Sequence, residues 1–540
     1  MNEDYLSQAG YCQYNTSFMT KESEKTRSIV KSSSHFGLTT LLSRITGFIR
    51  DVLFASYFGA SSNTDAFFVA FKIPNFFRRL FAEGAFSQAF IPVLQEYRLN
   101  KKNLLVDFTQ NVFGNLFLVL IIITSLGMYF SHELAYIFAP GFMDDSEKIN
   151  LTSQMLFVIF PYLLFISLTA MCAGIFNSHG RFILSGITPV FLNLSLIMFT
   201  IFSSTLFVVP IISLSYGVLV AGIVQLLIQL PLMHKLGYLK LPKINFYNHG
   251  SMKIIKLMGP AILGTAAVQI NLLIDTIVAS LLMTGSISWL YFSDRLIELP
   301  LAVFGIAISI VVLPVLSEHF QKNELNKYSQ TLTRSIKLAT LIALPAMIGL
   351  IVLSASIVSS LFMYGSFGML DVGMTVLSLV TYSLGLPAFI FLKILVTAFY
   401  SRQDTKTPVI YSIIGISINI VANLVVLYLY LKSPFEGAHA LVALATSLSA
   451  WIQVILMSFK LRKIEIIKEN LFLNLSTLKV IIASLIMLTI LLIYGYTAPF
   501  ETNTSFYDRI FYLLISLIMG AIIYFLSLRA MGVTFKNYKI

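Results

Sequence analysis

Residues 43–96 read SRITGFIRDVLFASYFGASSNTDAFFVAFKIPNFFRRLFAEGAFSQAFIPVLQE. The apolar content suffices for two membrane spans. Yet the stretch carries Arg44, Arg50, Asp51, Asp65, Lys72, Arg78, Arg79 and Glu83. An ionised side chain at the centre of a bilayer costs about 2.5–3.5 kcal/mol on insertion scales. A chain that keeps this many must hide them from lipid. They are expected to face a wet cavity whose net sign is positive.

The whole chain agrees with a membrane setting. Of its 540 residues, 57% are hydrophobic and only 11% charged, against about 25% charged in average soluble proteins. This composition defines an all-α polytopic membrane protein. The net charge of +12 then reads as basic cytoplasmic loops and not as a nucleic-acid surface. Two cysteines, Cys12 and Cys172, give neither a disulfide framework nor metal-ligand spacing. Residues 1–35 are polar and basic and lack the apolar core of a signal peptide. A polar cytoplasmic tail is expected there.

A spanning helix needs about 20 mainly apolar residues. Runs of that kind predict about fourteen spans, at 36–58, 64–97, 107–130, 151–178, 184–208, 211–235, 253–284, 287–317, 331–358, 374–400, 407–431, 437–460, 476–497 and 506–531. With the N-terminus inside, the short cytoplasmic loops collect Arg98, Lys101, Lys102, Arg181, Lys235, Lys240, Lys243, Lys322, Lys327, Arg402, Lys406 and Lys460. The opposite loops hold little beyond Lys148, Lys432 and Arg509, with the acids Glu133, Asp144, Asp145 and Glu147. Basic residues stay on the cytoplasmic side. Both termini are therefore expected in the cytoplasm.

The chain also repeats itself. AFIPVLQEY at Pro92 recurs as VVLPVLSEH at Pro314, DVLFAS at Asp51 as DTIVAS at Asp275, and IFNSHGR at Phe176 as AFYSRQD at Phe399, all about 222–224 residues apart. The unit is six spans, an even number. Two similarly oriented six-helix lobes should then be related by a pseudo-two-fold along the membrane normal, with a central site between them. The domains expected are a tail at 1–35, an N-lobe at 36–235, a C-lobe at 236–460, and two further helices with a tail at 461–540.

Two constellations carry chemistry. The first is cationic: Arg44 and Arg50 in span 1, Arg78 and Arg79 in span 2, and Arg295 in span 8. The repeat makes spans 1 and 2 equivalent to 7 and 8, so these four are expected to line one cleft. Arginine captures phosphate in a planar, bidentate fork. The competing reading pairs each arginine with an acid merely to hold helices together, with Asp51, Glu83, Asp294 and Glu298 as candidates. Pro74, Gly84, Gly47 and Gly59 give spans 1 and 2 room to bend. The second constellation is oxygen-rich: Asp275 in span 7, Asn419 and Asn423 at i, i+4 in span 11, and Thr446 in span 12. These are hard ligands suited to sodium or a proton relay, and they suit ordinary hydrogen bonding between helices as well. No phosphate loop of the G-x-x-x-x-G-K-[ST] kind is present, so direct coupling to ATP is not expected. No catalytic constellation stands out, and a transporter is expected in place of an enzyme.

SRITGFIRD, TDAFFVAFKIPNFFRRLFAEGAFSQAFIPVL, GPAILG, YFSDRLIELP and FYSRQDTKTP closely resemble the MurJ (MviN) lipid II flippases of bacteria. The resemblance runs from about residue 36 to the C-terminus. It implies the multidrug/oligosaccharidyl-lipid/polysaccharide exporter fold, with two six-helix lobes plus two C-terminal helices. It also implies transport of undecaprenyl-pyrophosphoryl-MurNAc(pentapeptide)-GlcNAc to the outer leaflet of the bacterial inner membrane for peptidoglycan synthesis. The family's essential arginines match Arg44, Arg50, Arg78 and Arg295, and its acids match Asp65 and Glu298. Some members bind sodium, and Asp275, Asn419, Asn423 and Thr446 resemble that set, with Asn423 standing where an acid can occur. A functional monomer surrounded by membrane lipid is expected, with spans 13 and 14 forming a groove for the polyprenyl tail.

The rival readings are an exporter of another lipid-linked polysaccharide, a cation-coupled drug exporter of the same fold, and a membrane transferase acting on polyprenyl phosphates. The FFRRLFAEGAFSQAF block argues against the first and the arginine-rich cavity against the second. The third needs a catalytic base beside an acidic metal cluster, and no such spacing is seen.

Overall fold

The computed structural model describes residues 39–80, 86–466, 475–497 and 505–533. Every regular element among them is helical. In chain order these are α1 (39–58), α2 (Ser62–Phe77), α3 (Ser87–Asn100), α4 (Leu105–Tyr129), α5 (Ser131–Phe138), α6 (Ser146–Ile159), α7 (Tyr162–Ser178), α8 (Ile183–Ile201), α9 (Ser203–Leu206), α10 (Ile212–Leu227) and α11 (Leu230–Lys235). There follow α12 (His249–Ser280), α13 (Ser286–Pro300), α14 (Ala307–Gln321), α15 (Leu325–Val352), α16 (Ser354–Phe362), α17 (Met369–Ser383), α18 (Leu386–Tyr400), α19 (Lys406–Lys432), α20 (Ala438–Lys463), α21 (Leu475–Thr497) and α22 (Phe506–Ala530). The predicted tail at 1–35, and Glu83 and Gly84 of the opening stretch, lie outside the described residues.

Among the described residues, ten helical stretches are long and apolar enough to cross a membrane, and α17 with α18 makes an eleventh if that bent pair is one span. Length and apolar composition alone therefore do not return fourteen. The other three predicted spans are helical at α1, at α2 with α3, and at α12. These are the segments that carry Arg44, Arg50, Asp51, Asp65, Lys72 and Asp275.

Proline sets the breaks. The 40° bend between α17 and α18 falls at Leu384–Gly385, just before Pro387. Its ring has no N–H to return to the preceding turn. Pro161 sits at the junction of α6 and α7 in the same way. After Pro300 the backbone widens into a π-helical turn, Leu301–Ile306, before α14 resumes. Pro74 lies inside α2 without ending it. Gly59, at φ +60°, ends α1, whereas Gly47 is helical.

Two helix ends that the sequence repeat pairs close alike, as several other helices of the chain do. α7 and α18 close with the same six-residue bond: Arg181 N–H to Phe176 O at 2.9 Å, and Asp404 N–H to Phe399 O at 3.1 Å. Each passes through one left-handed residue, Gly180 at φ +73° and Gln403 at φ +62°. That is the Schellman way of satisfying the last carbonyls of a helix.

Packing divides the described chain into two compact units. The first holds the residues up to Asp51, Pro74–Tyr129 and Phe157–Ile262; the second holds Val52–Ile73, Phe130–Leu156 and the chain from Leu263 onward. In the first unit, α3 packs on α4 and α7, and α10 on α7 and α8. Its aromatic core centres on Phe90, Phe108, Phe176 and Tyr97, with Tyr97 stacked on Phe108 at 4.2 Å. Buried aromatics carry a large apolar payload in a fixed geometry. In the second unit, α20 packs on α17, α18 and α19, and α21 and α22 pair and lean on α15. Arg509, buried at the start of α22, donates to Ser359 O at 3.2 Å and Met363 O at 3.4 Å. It neutralises the carbonyl end of α16, the favourable place for a cation on a helix.

Candidate functional site

Arg44, Arg50, Arg78 and Arg79 belong to the first unit and Arg295 to the second. Arg44 is exposed on α1. Two turns on, Arg50 is buried and its fork is in use: Nη2 and Nε meet Asp51 Oδ1 at 2.7 and 3.0 Å, and Nη1 donates to Asn193 Oδ1 at 2.9 Å. The Asn193 amide turns back to Ser43 O at 2.9 Å and Thr46 Oγ1 at 3.2 Å. Gly47 gives this amide its room, since an added Cβ would stand 3.3 Å from Asn193 Nδ2. Arg78 is half-buried and donates to Asn75 Oδ1 at 2.7 Å. Arg79 is also half-buried.

Arg295 pairs with Glu298 at 2.8 Å, both side chains partly exposed. Its guanidinium lies 4.8 Å from the ring of Tyr291, which stacks on Phe68 at 3.9 Å. Of the four acids named as candidate partners, Asp51 and Glu298 do pair with arginine. Because Arg295 remains partly exposed, a second anion can still approach its fork.

Asp65 has a different use. Its Oδ2 accepts the Gly285 N–H at 2.7 Å, and its Oδ1 accepts the N–H and hydroxyl of Ser288 at 3.0 and 2.6 Å. These amides are among the orphan donors at the start of α13. Asp65, arriving from α2, is therefore an N-cap supplied by another helix. Lys148 Nζ stands 3.6 Å from Asp65 Oδ2, with both side chains buried. The same ammonium lies 3.9 Å from the Phe142 ring.

The oxygen-rich set converges within the second unit. Asp275 Oδ1 accepts from Asn419 Nδ2 at 3.0 Å and Asn423 Nδ2 at 2.7 Å, and Asp275 Oδ2 accepts from Thr446 Oγ1 at 3.1 Å. Asn271 joins through its Oδ1, which accepts from Asn419 at 2.7 Å. All three bonds to Asp275 are donations to a carboxylate, the hydrogen-bonding alternative left open above. One atom is unsatisfied: the buried Asn423 Oδ1 has no hydrogen-bond partner, and an orphaned buried acceptor is costly. Turning the amides over would present carbonyl oxygens without moving backbone. A carboxylate, amide oxygens and a hydroxyl form a hard donor set, so these residues fit a sodium-like cation.

Sequence reasoning missed four participants. Asn193 was a lone amide in an apolar run. Lys148 looked like an outer-loop charge. Tyr291 was one aromatic among many. Lys72 was noted as a charge in a span but given no role, and its Nζ donates to Thr276 Oγ1 at 2.9 Å, beside Asp275.

The second unit also holds an apolar cavity of about 630 Å³ where α15, α21 and α22 meet. Leu341, Pro345, Gly349, Met487, Gly520 and Tyr524 line it. Small residues keep it open, and the Tyr524 hydroxyl is spent on Leu341 O at 2.6 Å, so its wall is almost wholly hydrocarbon.

Charged helices among many apolar spans define a multi-pass membrane transporter. Its fold is shared with an inward-facing multidrug resistance MATE family transporter of the MOP superfamily, at TM-score 0.64 and 16% identity over 79% of this chain and 96% of that one. A structure described as lipid II flippase MurJ in an inward closed conformation matches at TM-score 0.77 and 28% identity, over 92% of this chain and 99% of that one. The family profile described as lipid II flippase MurJ matches residues 54–535. Probable lipid II flippases MurJ from Buchnera aphidicola subsp. Acyrthosiphon pisum and from Vibrio cholerae are 39% and 42% identical, over 94% and 79% of this chain and 99% and 82% of theirs. The chain belongs to the MurJ lipid II flippase family, a family of transporters.

Proposed function

We propose that this chain moves lipid II from the cytoplasmic to the outer leaflet of the bacterial inner membrane, by alternating access, for peptidoglycan biosynthesis. The observation that carries the reading is the nearly end-to-end match to lipid II flippases in both sequence and fold.

The chemistry of the substrate supports it. Its headgroup is far too polar to cross hydrocarbon, and its diphosphate carries about two negative charges that must stay compensated in a medium where a lone charge is costly. Arg44, Arg50, Arg78 and Arg79 in the first unit and Arg295 in the second are the cations suited to that compensation. Arg295 engages by exchanging Glu298 for phosphate oxygen, and Arg50 by loosening from Asp51. Each exchange swaps one anion for another, so no guanidinium is left bare. Asp65 acts through structure, by holding the start of the helix that carries Arg295 and Glu298.

The polyprenyl tail takes the apolar cavity lined by Leu341, Met487 and Tyr524. Asp275, Asn419, Asn423 and Thr446 would hold a sodium ion, which would contribute the energy of an ion gradient to the cycle. One charge crossing 100 mV is worth about 2.3 kcal/mol. Both termini face the cytoplasm, and one copy of the chain suffices in its shell of membrane lipid.

The test is a leaflet-accessibility assay for lipid II in cells depleted of this protein. The reading requires that outer-leaflet lipid II falls on depletion and returns on re-expression. Unchanged accessibility would remove it.

A further inference from the structure

Lys72 relates the Asp275 cluster to α2, the helix that leads to Arg78 and Arg79. It is half-buried on α2. Its ammonium donates to the hydroxyl of Thr276 at 2.9 Å, the residue after Asp275 on α12, and that hydroxyl is anchored on Leu272 O at 2.8 Å. The charges that act on Lys72 are Asp294, Asp275 and Asp65, which attract it, and Arg295, which repels it. Meanwhile the hydrogen bonds filling Asp275 come from neutral groups, two amides and one hydroxyl. Lys72, a charge that acts on Asp275, therefore rests on one hydroxyl and is not spent in a direct ion pair with that carboxylate.

We infer that Lys72 is the internal counter-cation of the Asp275 cluster, and that a monovalent cation entering the cluster competes with its ammonium for the same negative charge. This rests on the reading of the cluster as a cation site. Asp275 and Lys72 by themselves set one negative charge against one positive when no ion is bound. An entering cation adds a charge, and in an interior of low effective dielectric two like charges a few ångströms apart repel strongly. The pair relaxes when Lys72 lets go of Thr276 and turns toward Asp294. Lys72 sits seven residues, about two turns, beyond Asp65 on the same helix. Asp65 fixes the upper part of α2 to the start of α13. Ion occupancy thus changes the hold on the lower part of α2, six residues before Arg78, while its upper part stays clamped. Lys72 is a positioning residue: it touches neither substrate nor ion, and acts through charge.

The experiment measures binding of radioactive sodium to the purified full chain in nanodiscs, for the native protein and for Lys72→Met, Lys72→Arg, Thr276→Val and Asp275→Asn. Removal of a nearby like charge should tighten sodium binding by about tenfold or more in Lys72→Met. Lys72→Arg, which keeps the charge, should stay within about threefold of the native affinity on the same reasoning, and Thr276→Val, which keeps the ammonium and frees it to compete, should not tighten binding. If Lys72→Met binds sodium no more tightly than the native chain while Asp275→Asn abolishes binding, the counter-cation role is overturned and the cation site stands. If Thr276→Val tightens binding as much as Lys72→Met, the hydrogen bond and not the charge is responsible, and the inference is again overturned. If neither the native chain nor Lys72→Met binds sodium, the cation-site reading fails and takes this one with it. Should Lys72→Met not yield folded protein, Lys72→Gln gives the same readout with a polar side chain.

Discussion

Asp65 and Ser288 are 223 residues apart in sequence, yet the carboxylate of the first accepts both the backbone N–H and the hydroxyl of the second, at 3.0 and 2.6 Å. This one side chain starts α13, fixes α2 to it, and compensates the buried ammonium of Lys148. In the folded chain this acid caps a helix that lies 220 residues further along the sequence.

Asp65→Ala strips the cap and leaves Lys148 buried without its carboxylate. Breaking a buried ion pair from one side costs about 3–5 kcal/mol, and the loss should appear as a lowered midpoint of denaturant unfolding in detergent. Adding Lys148→Met to Asp65→Ala should recover a substantial part of that cost. Strictly additive losses in the double variant would show that the two side chains are not coupled.

Arg44→Lys keeps a cation and loses the fork. One hydrogen bond to a charged group is worth about 1.5–3 kcal/mol, so flipping should fall roughly tenfold to a hundredfold. The measurement is complementation of cells lacking their own lipid II flippase, with protein level checked in the membrane. Full complementation by the lysine variant would mean that charge alone matters at this position.

Sodium should stabilise the native chain against heat relative to choline at equal ionic strength. A ligand at a hundred times its dissociation constant contributes about 2.7 kcal/mol. Asp275→Asn should erase the difference, because the carboxylate is the only full negative charge among Asp275, Asn419, Asn423 and Thr446. A sodium effect that survives Asp275→Asn would place the ion elsewhere.

The ends of α7 and α18 should respond in opposite directions. Gly180→Ala forces a Cβ into a left-handed residue, which costs about 1–2 kcal/mol. Gln403→Gly relieves that same penalty at φ +62° and should raise stability by a fraction of it, less the greater freedom of glycine in the unfolded chain. Thermal unfolding of both variants in one detergent gives the comparison. Equal and same-signed shifts would show that left-handed strain does not govern these two positions.

Much of this was legible beforehand. Charges at Arg44, Arg50 and Lys72 within apolar runs pointed to a sheltered interior, because the cost of an ion in hydrocarbon belongs to the residue and needs no knowledge of its neighbours. The i, i+4 spacing of Asn419 and Asn423 put two amides on one helix face, and the structure adds Asp275 and Thr446 to them. The count of spans was less secure where charge and proline interrupt the pattern, at α1, α2 and α12. The packing units were not legible at all, since they draw Val52–Ile73 and Phe130–Leu156 into the company of residues beyond Leu263.

The sequence by itself determined the class of protein, its membrane setting and its store of arginines within apolar runs, because hydrophobicity and charge are properties written along the chain. Only the tertiary structure decided that Arg50 rests on Asp51 and Asn193, that Asp65 caps α13, and that Lys72 stands by Thr276. A buried polar group takes whichever partner folding brings within about 3 Å, and that partner can lie anywhere in the chain.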